Sequence, residues 1–141
     1  MRMRSIIVAT GAALAIATAT AGPVAAHDGK TETVTPNFEA AIPNIPGKSL
    51  LAVEVEYAPG AASPAHTHAK SSFIYAYVIS GEIESKVNDS ETRIYRAGES
   101  FSEPPDATHS VSRNASKTKP AKLLAVFVLD TGDNPLTTPL K

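Results

Sequence analysis

Three histidines in this chain have a spacing that suits a metal site. His66 and His68 are separated by one residue, and His109 follows a Pro-Pro turn about 40 residues later. Neutral imidazole is the commonest protein metal ligand. Residues i and i+2 of a strand point to the same face with Cα atoms roughly 6.6 Å apart, so the first two histidines can hold one ion at about 2.0–2.1 Å. With His109 on a neighbouring strand, the sequence predicts a three-nitrogen metal site.

The elements that must position these histidines are short β-strands. Residues 51–57 alternate apolar with acidic side chains, which is typical of a half-buried strand. Residues 73–80 are aromatic and β-branched, which predicts a strand covered on both faces, and residues 121–129 form an apolar run of core-strand length. The tail after residue 130 is rich in Pro, Thr and Gly and is predicted to be loop. About eight short strands at regular spacing predict an all-β sandwich or barrel.

Two segments of the chain resemble the two conserved motifs of the cupin superfamily. The residues that carry the resemblance are Gly60, His66, His68, Gly81 and Glu82 for the first motif and Gly98, Pro104, Pro105, His109 and Asn114 for the second. The resemblance covers about residues 51–129. It implies a double-stranded β-helix, or jelly-roll barrel, with a metal inside its mouth. The three histidines would be the metal ligands.

The chain lacks a carboxylate that the first cupin motif usually has. The family pattern places a Glu four or five residues after the second histidine, where this chain has Ser72 and Phe73. The site can therefore be three-histidine and neutral, which leaves a divalent ion its full charge as a Lewis acid toward water or an anionic ligand. Alternatively, Glu103 supplies a carboxylate from another strand. An inward Phe101 would put Glu103 inward too.

Glu103 and Tyr77 are the candidate catalytic residues. An inward Glu103 would act as a ligand or as a general base, and the alternative interpretation is an exposed charge before a turn. Tyr77 shares a face with Tyr75 and Phe73. Its hydroxyl could position a ligand, although packing in the barrel is the more common fate of such residues. The usual glycine of the second motif is replaced by Asp106, which tolerates the left-handed conformation of a turn.

The resemblance also implies an activity on small molecules. Three-histidine cupins are often non-haem iron dioxygenases, so Fe²⁺ is the favoured cofactor, with Zn²⁺, Mn²⁺, Ni²⁺ or Cu²⁺ as alternatives. Glu103 or a tyrosine would assist proton removal from a small organic substrate. A non-enzymatic module that binds a ligand or the metal itself stays open, because cupins include storage and regulatory proteins. Cupins commonly dimerise through their sheets or an extended arm, and residues 30–48 are a candidate arm for a homodimer.

Residues 1–26 have the pattern of a secretory signal peptide, with a short basic start, an apolar stretch and small residues near its end. We expect cleavage after Ala26, with Ala21 as the alternative, and a periplasmic or secreted protein. The remaining chain would comprise an extended N-terminal arm at 27–48, a barrel domain at 49–130 and a C-terminal tail at 131–141.

Composition and charge exclude several functional classes. The sequence contains no cysteine, which excludes disulfides and thiolate metal sites. Its formal net charge is −1, and no basic patch stands out. We therefore expect neither nucleic acid nor an anionic membrane as a partner. A small-molecule ligand or substrate remains as the expected partner.

Overall fold

The computed structural model describes residues 32–141, and all regular structure in this range is β-strand, as the sequence predicts. The strands form two antiparallel five-stranded sheets. The first sheet has the strand order β1-β2-β9-β4-β7, formed by Thr33–Ala41 (β1), Lys48–Tyr57 (β2), Ala121–Asp130 (β9), Phe73–Ser80 (β4) and Ser100–Glu103 (β7). The second has the order β10-β3-β8-β5-β6, formed by Thr137–Pro139 (β10), His66–His68 (β3), Thr108–Asn114 (β8), Glu82–Val87 (β5) and Arg93–Arg96 (β6).

The hydrophobic core lies between the two sheets and follows from the two-residue period of the strands. In β9, every second residue is buried, with Leu123, Phe127 and Leu129 each 4% exposed, whereas the alternate residues Leu124, Val126 and Val128 are half-buried. Ile74 of β4 and Ile83 of β5 meet them in the same core cluster. Burial of each such side chain contributes about 1.5–3 kcal/mol. The core therefore binds the sheets together and fixes the inward side of each strand.

Strand β4 differs from the sequence prediction that both of its faces are covered. Its inward side chains are buried, but those of Phe73, Tyr75, Tyr77 and Ile79 are 38–45% exposed on the outside of the first sheet. The prediction of a doubly covered strand is wrong because the described chain supplies a second sheet on one side only. An apolar run indicates that a strand avoids water, and it does not identify the molecule that covers each face.

The arm is extended as the sequence predicts, and the C-terminal tail is more regular than predicted. The arm contains a complete edge strand, β1, which pairs antiparallel with β2. In the tail, which was predicted to be loop, β10 pairs with β3 beside the histidines. The β-branched Thr137 and Thr138 favour this extended conformation, and Pro139 is tolerated because β10 is an edge strand.

The predicted signal peptide at 1–26 lies outside the described residues. Within residues 32–141, no helix has the length and apolar character to cross a membrane.

The turn between β4 and β5 depends on Gly81. Its φ is +74°, in the left-handed region that glycine adopts without steric penalty. A Cβ at this position would lie 2.5 Å from the carbonyl oxygen of Pro120 and 2.8 Å from the Cα of Ala121. Both neighbours are backbone atoms at the start of β9, so neither can rotate away.

We expect Gly81→Ala to lower the free energy of unfolding by about 3 kcal/mol, because the left-handed conformation and the backbone clash act together. Gly98→Ala is the matched control. Gly98 also has positive φ, +88°, but a Cβ there would meet nothing within 4 Å, so its cost is about 1–2 kcal/mol. Urea denaturation measures both values. Equal destabilisation by the two variants would contradict the close approach at Gly81.

Candidate metal centre

Strand pairing brings the three predicted histidines together. His66 of β3 lies directly opposite His109 of β8, and His68 is two residues further along β3 on the same face. A candidate ligand atom from each of the three lies within 4.8 Å of the other two. The Nε2 atoms of His66 and His68 are 3.2 Å apart. Two ligands that bind one ion at about 2.1 Å with angles of about 90–110° lie roughly 3.0–3.4 Å apart. This cluster could therefore bind a metal ion.

Glu103 approaches the histidines from the opposite sheet. It ends β7, is 3% exposed, and places Oε1 at 3.2 Å from His109 Nδ1 and Oε2 at 3.3 Å from His68 Nε2. The interpretation of Glu103 as an exposed charge is therefore wrong. Burial raises the pKa of Glu103, but its contacts with the His109 and His68 rings outweigh burial and lower that pKa to about 2. The carboxylate is ionised at neutral pH.

One oxygen of this carboxylate fits a bound cation. Oε2 of Glu103 is buried and has no hydrogen-bond partner among the described residues, since its contact with His68 is out of line for a hydrogen bond. A buried polar atom without a partner is destabilising and requires an explanation. A cation held beside the histidines would remove this penalty. The donor set of nitrogens and oxygen, with no thiolate, suits a divalent transition metal.

Backbone carbonyls orient two of the histidine rings for metal binding. Nδ1 of His66 lies 2.7 Å from the carbonyl oxygen of Pro64, and Nδ1 of His68 lies 3.1 Å from that of Leu136. An Nδ1–H that donates to a carbonyl leaves Nε2 unprotonated and free to bind a metal. Burial lowers the pKa of His66, which favours this neutral form. The His109 ring has different partners from the other two rings. Its Nε2 lies 2.8 Å from Ser85 Oγ, and its Nδ1 faces Glu103.

The four side chains stand at the wall of a largely apolar cavity. The volume open to the centres of water-sized molecules is about 80 Å³, and one water needs roughly 10–15 Å³ on that measure. The cavity therefore admits an ion together with a ligand of only a few non-hydrogen atoms. Its apolar lining includes Val34, Val53, Val55, Ile74, Ala76, Phe101, Leu123, Ala125 and Phe127. These side chains restrict the access of bulk water.

The structure separates Tyr77 from the other predicted site residues. Tyr77 points outward from β4, is 38% exposed, and does not line the cavity, whereas Ile74 and Ala76 of the same strand do. A side chain on this outer face has no contact with a molecule held beside the histidines. The inward positions of β4 are aliphatic, and the carboxylate comes from β7, where Glu103 lies directly opposite Ile74.

Several contacts at the site were not predicted from the sequence. Ser85 and the carbonyl of Leu136 hold two of the histidine rings, yet they lie 24 and 68 residues away from them along the chain. Only the strand register shows these contacts.

Two residues of the second motif have structural roles. Asp106 adopts the left-handed conformation that the sequence predicts for its turn, with φ +63°. Asn114 is 5% exposed and ties two loops together by donating to the carbonyls of Ala58 and Lys119.

Comparisons with known proteins identify the family to which this fold is similar. The family model described as "Cupin domain" matches residues 53–127. Germin-like protein subfamily 2 member 2 of Arabidopsis thaliana is 33% identical over 95 residues, which are 62% of this chain and 42% of that protein. The chain thus spans less than half the length of this curated relative.

Solved structures are similar over most of the described residues. A recombinant oxalate oxidase in complex with glycolate is 26% identical, with a TM-score of 0.58, over 89% of this chain and 62% of that one. A Methanocaldococcus jannaschii protein described as having a double-stranded β-helix fold is 16% identical, with a TM-score of 0.56, over 74% of this chain and 85% of that one. The predicted jelly-roll fold is confirmed.

We expect Ser85→Ala to lower the affinity for Zn²⁺ about 10-fold, because loss of the partner of His109 Nε2 leaves that ring free to rotate. Ser110→Ala is the matched control, since Ser110 follows His109 in β8 and makes only a 3.4 Å contact with the carbonyl of Lys86. Competition with a coloured chelator measures both affinities. Equal affinities in the two variants would show that Ser85 does not hold the ring.

Proposed function

This chain belongs to the cupin domain family, and on that basis we propose that it is an exported metalloenzyme that acts on a small organic molecule as a metal-dependent dioxygenase. His66, His68 and His109 would bind one divalent transition metal, with Fe²⁺ favoured. The observation that supports this proposal most strongly is the unpartnered oxygen of Glu103 beside three converging imidazoles. Similarity to an oxalate oxidase supports an oxidative reaction, and the leader pattern at 1–26 supports export.

We propose that Glu103 completes the ligand set through Oε2. This oxygen lies 3.3 Å from His68 Nε2, and the Nε2 atoms of His66 and His68 are 3.2 Å apart. These near-equal spacings are those expected between ligands of one ion. When bound, a redox-active ion such as Fe²⁺ would supply coordination sites for substrate and dioxygen and electron-transfer chemistry that side chains lack. The remaining oxygen, Oε1, lies 3.2 Å from His109 Nδ1, the nitrogen that would bind the ion because Nε2 contacts Ser85 Oγ.

The cavity limits the substrate to a small molecule. A ligand beside the ion must fit within about 80 Å³, which is equivalent to roughly five to eight waters. Short diketones, small thiols and two- to four-carbon hydroxy compounds meet this limit, whereas a three-ring flavonol does not. The aliphatic lining would orient the substrate by contact. The non-enzymatic alternative, a module that holds a metal or ligand, would use the same cavity without turnover.

We expect the purified protein to bind close to one divalent ion per chain. Each of His66→Ala, His68→Ala and His109→Ala should retain less than about a tenth of that metal, because a site of three imidazoles and one carboxylate loses affinity steeply when one imidazole is removed. Thr67→Ala is the control, since this residue lies between two of the ligands but points to the other face of β3. Elemental analysis by mass spectrometry measures the ions. Stoichiometric metal in the histidine variants would contradict the site.

The same iron-loaded protein tests the reaction. Oxygen uptake is recorded with a panel of short diketones, thiols and hydroxy acids, and with a flavonol as the oversized control. Substrate-dependent uptake that disappears in His66→Ala supports the dioxygenase. Tight metal binding without uptake on any member of the panel would contradict it and favour the binding module.

We also propose that the protein forms a homodimer through the outer face of the first sheet. One row of paired residues crosses this face from Phe38 through Ala52 and Val126 to Tyr75. Phe38 and Tyr75 are 53% and 44% exposed. Four strands by seven residues cover roughly 19 by 23 Å, on the order of 400 Å². A sheet face of this area that exposes aromatic side chains is a candidate interaction site.

The charges around this face favour a second copy of the chain as its partner. At one end of the sheet Lys122 already pairs with Glu54 and Glu56, and at the other end Lys48 pairs with Asp130. These two lysines and three carboxylates sum to −1, so the face offers little net charge to an oppositely charged partner. An apolar centre with a polar rim is the usual anatomy of an interface, and a two-fold related copy supplies the matching surface.

We expect Val126→Lys to convert the dimer to a monomer, because the substitution places an unpaired charge at the centre of the apolar face. Ile94→Lys is the control, since Ile94 is also 40% exposed but lies on β6 in the other sheet. Light scattering coupled to size exclusion measures the mass. A monomeric wild type, or a dimeric Val126→Lys, would contradict this interface.

A further inference from the structure

The cavity contains a second polar group that the metal ligands do not use. The Tyr57 hydroxyl lies 2.7 Å from Ser63 Oγ and 2.8 Å from Ser112 Oγ, and all three residues line the cavity. Three hydroxyl groups carry three hydrogens, and the two contacts use two of them. One O–H therefore remains without an acceptor among the described residues, and it can donate to a molecule in the cavity. We call these three residues the hydroxyl chain.

Glu32 adds a second carboxylate to the same cavity. It immediately precedes β1, and it lines the cavity together with Tyr57 and His66. Its Oε2 is buried and has no hydrogen-bond partner among the described residues. Burial and the negative charges of Glu32 and Glu103 raise the pKa of Tyr57, against the opposing effect of its serine partners. The phenol therefore stays protonated, and it lies within electrostatic range of both carboxylates.

The charges that line the cavity disfavour an anionic ligand. Its described lining residues include two glutamates, Glu32 and Glu103, and neither lysine nor arginine. A divalent ion on the neutral histidines is balanced by these two carboxylates. A carboxylate on the ligand would then stay uncompensated in an apolar site, where an unpaired charge is strongly unfavourable. This reverses the sequence expectation that a three-histidine site attracts an anion.

We propose that Glu32 and the hydroxyl chain form a second subsite, which binds the hydroxyl or ammonium end of a small ligand whose other end binds the metal. Glu32 accepts from the ligand, and the hydroxyl chain donates to it. The subsite thereby selects neutral or ammonium-bearing molecules and rejects those with a second anionic group. This inference rests on the proposed metal site, and Glu32 and Tyr57 are its specificity-determining residues.

Short hydroxamates provide a direct test because they share one metal-binding head and differ only in the tail. The full-length zinc-loaded protein is titrated by calorimetry with the hydroxamates of propionic acid, glycolic acid, glycine and malonic acid. Their tails are a methyl, a hydroxyl and an ammonium of similar size, and a larger carboxylate, for which Glu32→Gln separates the effect of charge from that of size. We expect the hydroxyl and ammonium tails to bind about 3- to 10-fold more tightly than the methyl tail. The carboxylate tail should bind at least about 10-fold more weakly.

Substitutions test which side chains of the subsite cause these binding preferences. Glu32→Gln should abolish the ammonium preference and relieve the carboxylate penalty, whereas Glu39→Gln, an exposed glutamate on β1, should change neither. Tyr57→Phe should abolish the preference for the hydroxyl tail and leave the binding of the methyl tail unchanged. Ser63→Ala, at a half-buried position, provides a second test of the hydroxyl chain if Tyr57→Phe is poorly folded.

The outcomes distinguish the two levels of the proposal. If no hydroxamate binds the zinc-loaded protein, or if zinc itself does not bind, the proposed metal function fails. If all four bind with equal affinity, or if the tail preferences persist in Glu32→Gln and Tyr57→Phe, the metal site stands and the second subsite is wrong.

Discussion

The structure depends on one buried charge, the carboxylate of Glu103, which faces three imidazoles across the inside of the barrel. Glu103 belongs to the first sheet and the histidines to the second, so the contacts at 3.2 and 3.3 Å join the two layers. A carboxylate that is only 3% exposed is stable only beside positive charge or hydrogen-bond donors. The need to compensate this buried charge links the packing of the barrel to the chemistry of the site.

Strand register, rather than any local motif, assembles the rest of the site. The pairing of β3 with β8 places His66 opposite His109, and the pairing of β3 with β10 brings the tail beside His68. The carbonyl of Leu136 then orients the His68 ring. The packing of the two sheets sets Tyr57 of the first beside Ser112 of the second, 55 residues away in sequence, and so creates the hydroxyl chain. The cavity thereby contains a donor set for a metal and a separate polar wall.

Much of this arrangement could be predicted from the sequence because it follows from local periodicity. The two-residue spacing of His66 and His68 fixes a common face, and strand alternation allows an inward Glu103. The outward position of Tyr77 was not predictable, because an apolar run does not reveal which face the sheet turns inward. Partners such as Ser85 were not predictable either, since they depend on the register between strands that are distant in the chain.

X-ray absorption at the zinc edge of the metal-loaded protein tests the central claim most directly, because it counts the ligands around the ion itself. The geometry predicts three imidazole nitrogens and at least one oxygen at about 2.0–2.2 Å. A spectrum with the multiple-scattering signature of fewer than two imidazoles would show that the histidines do not converge on one cation, and the proposed metal centre would be wrong.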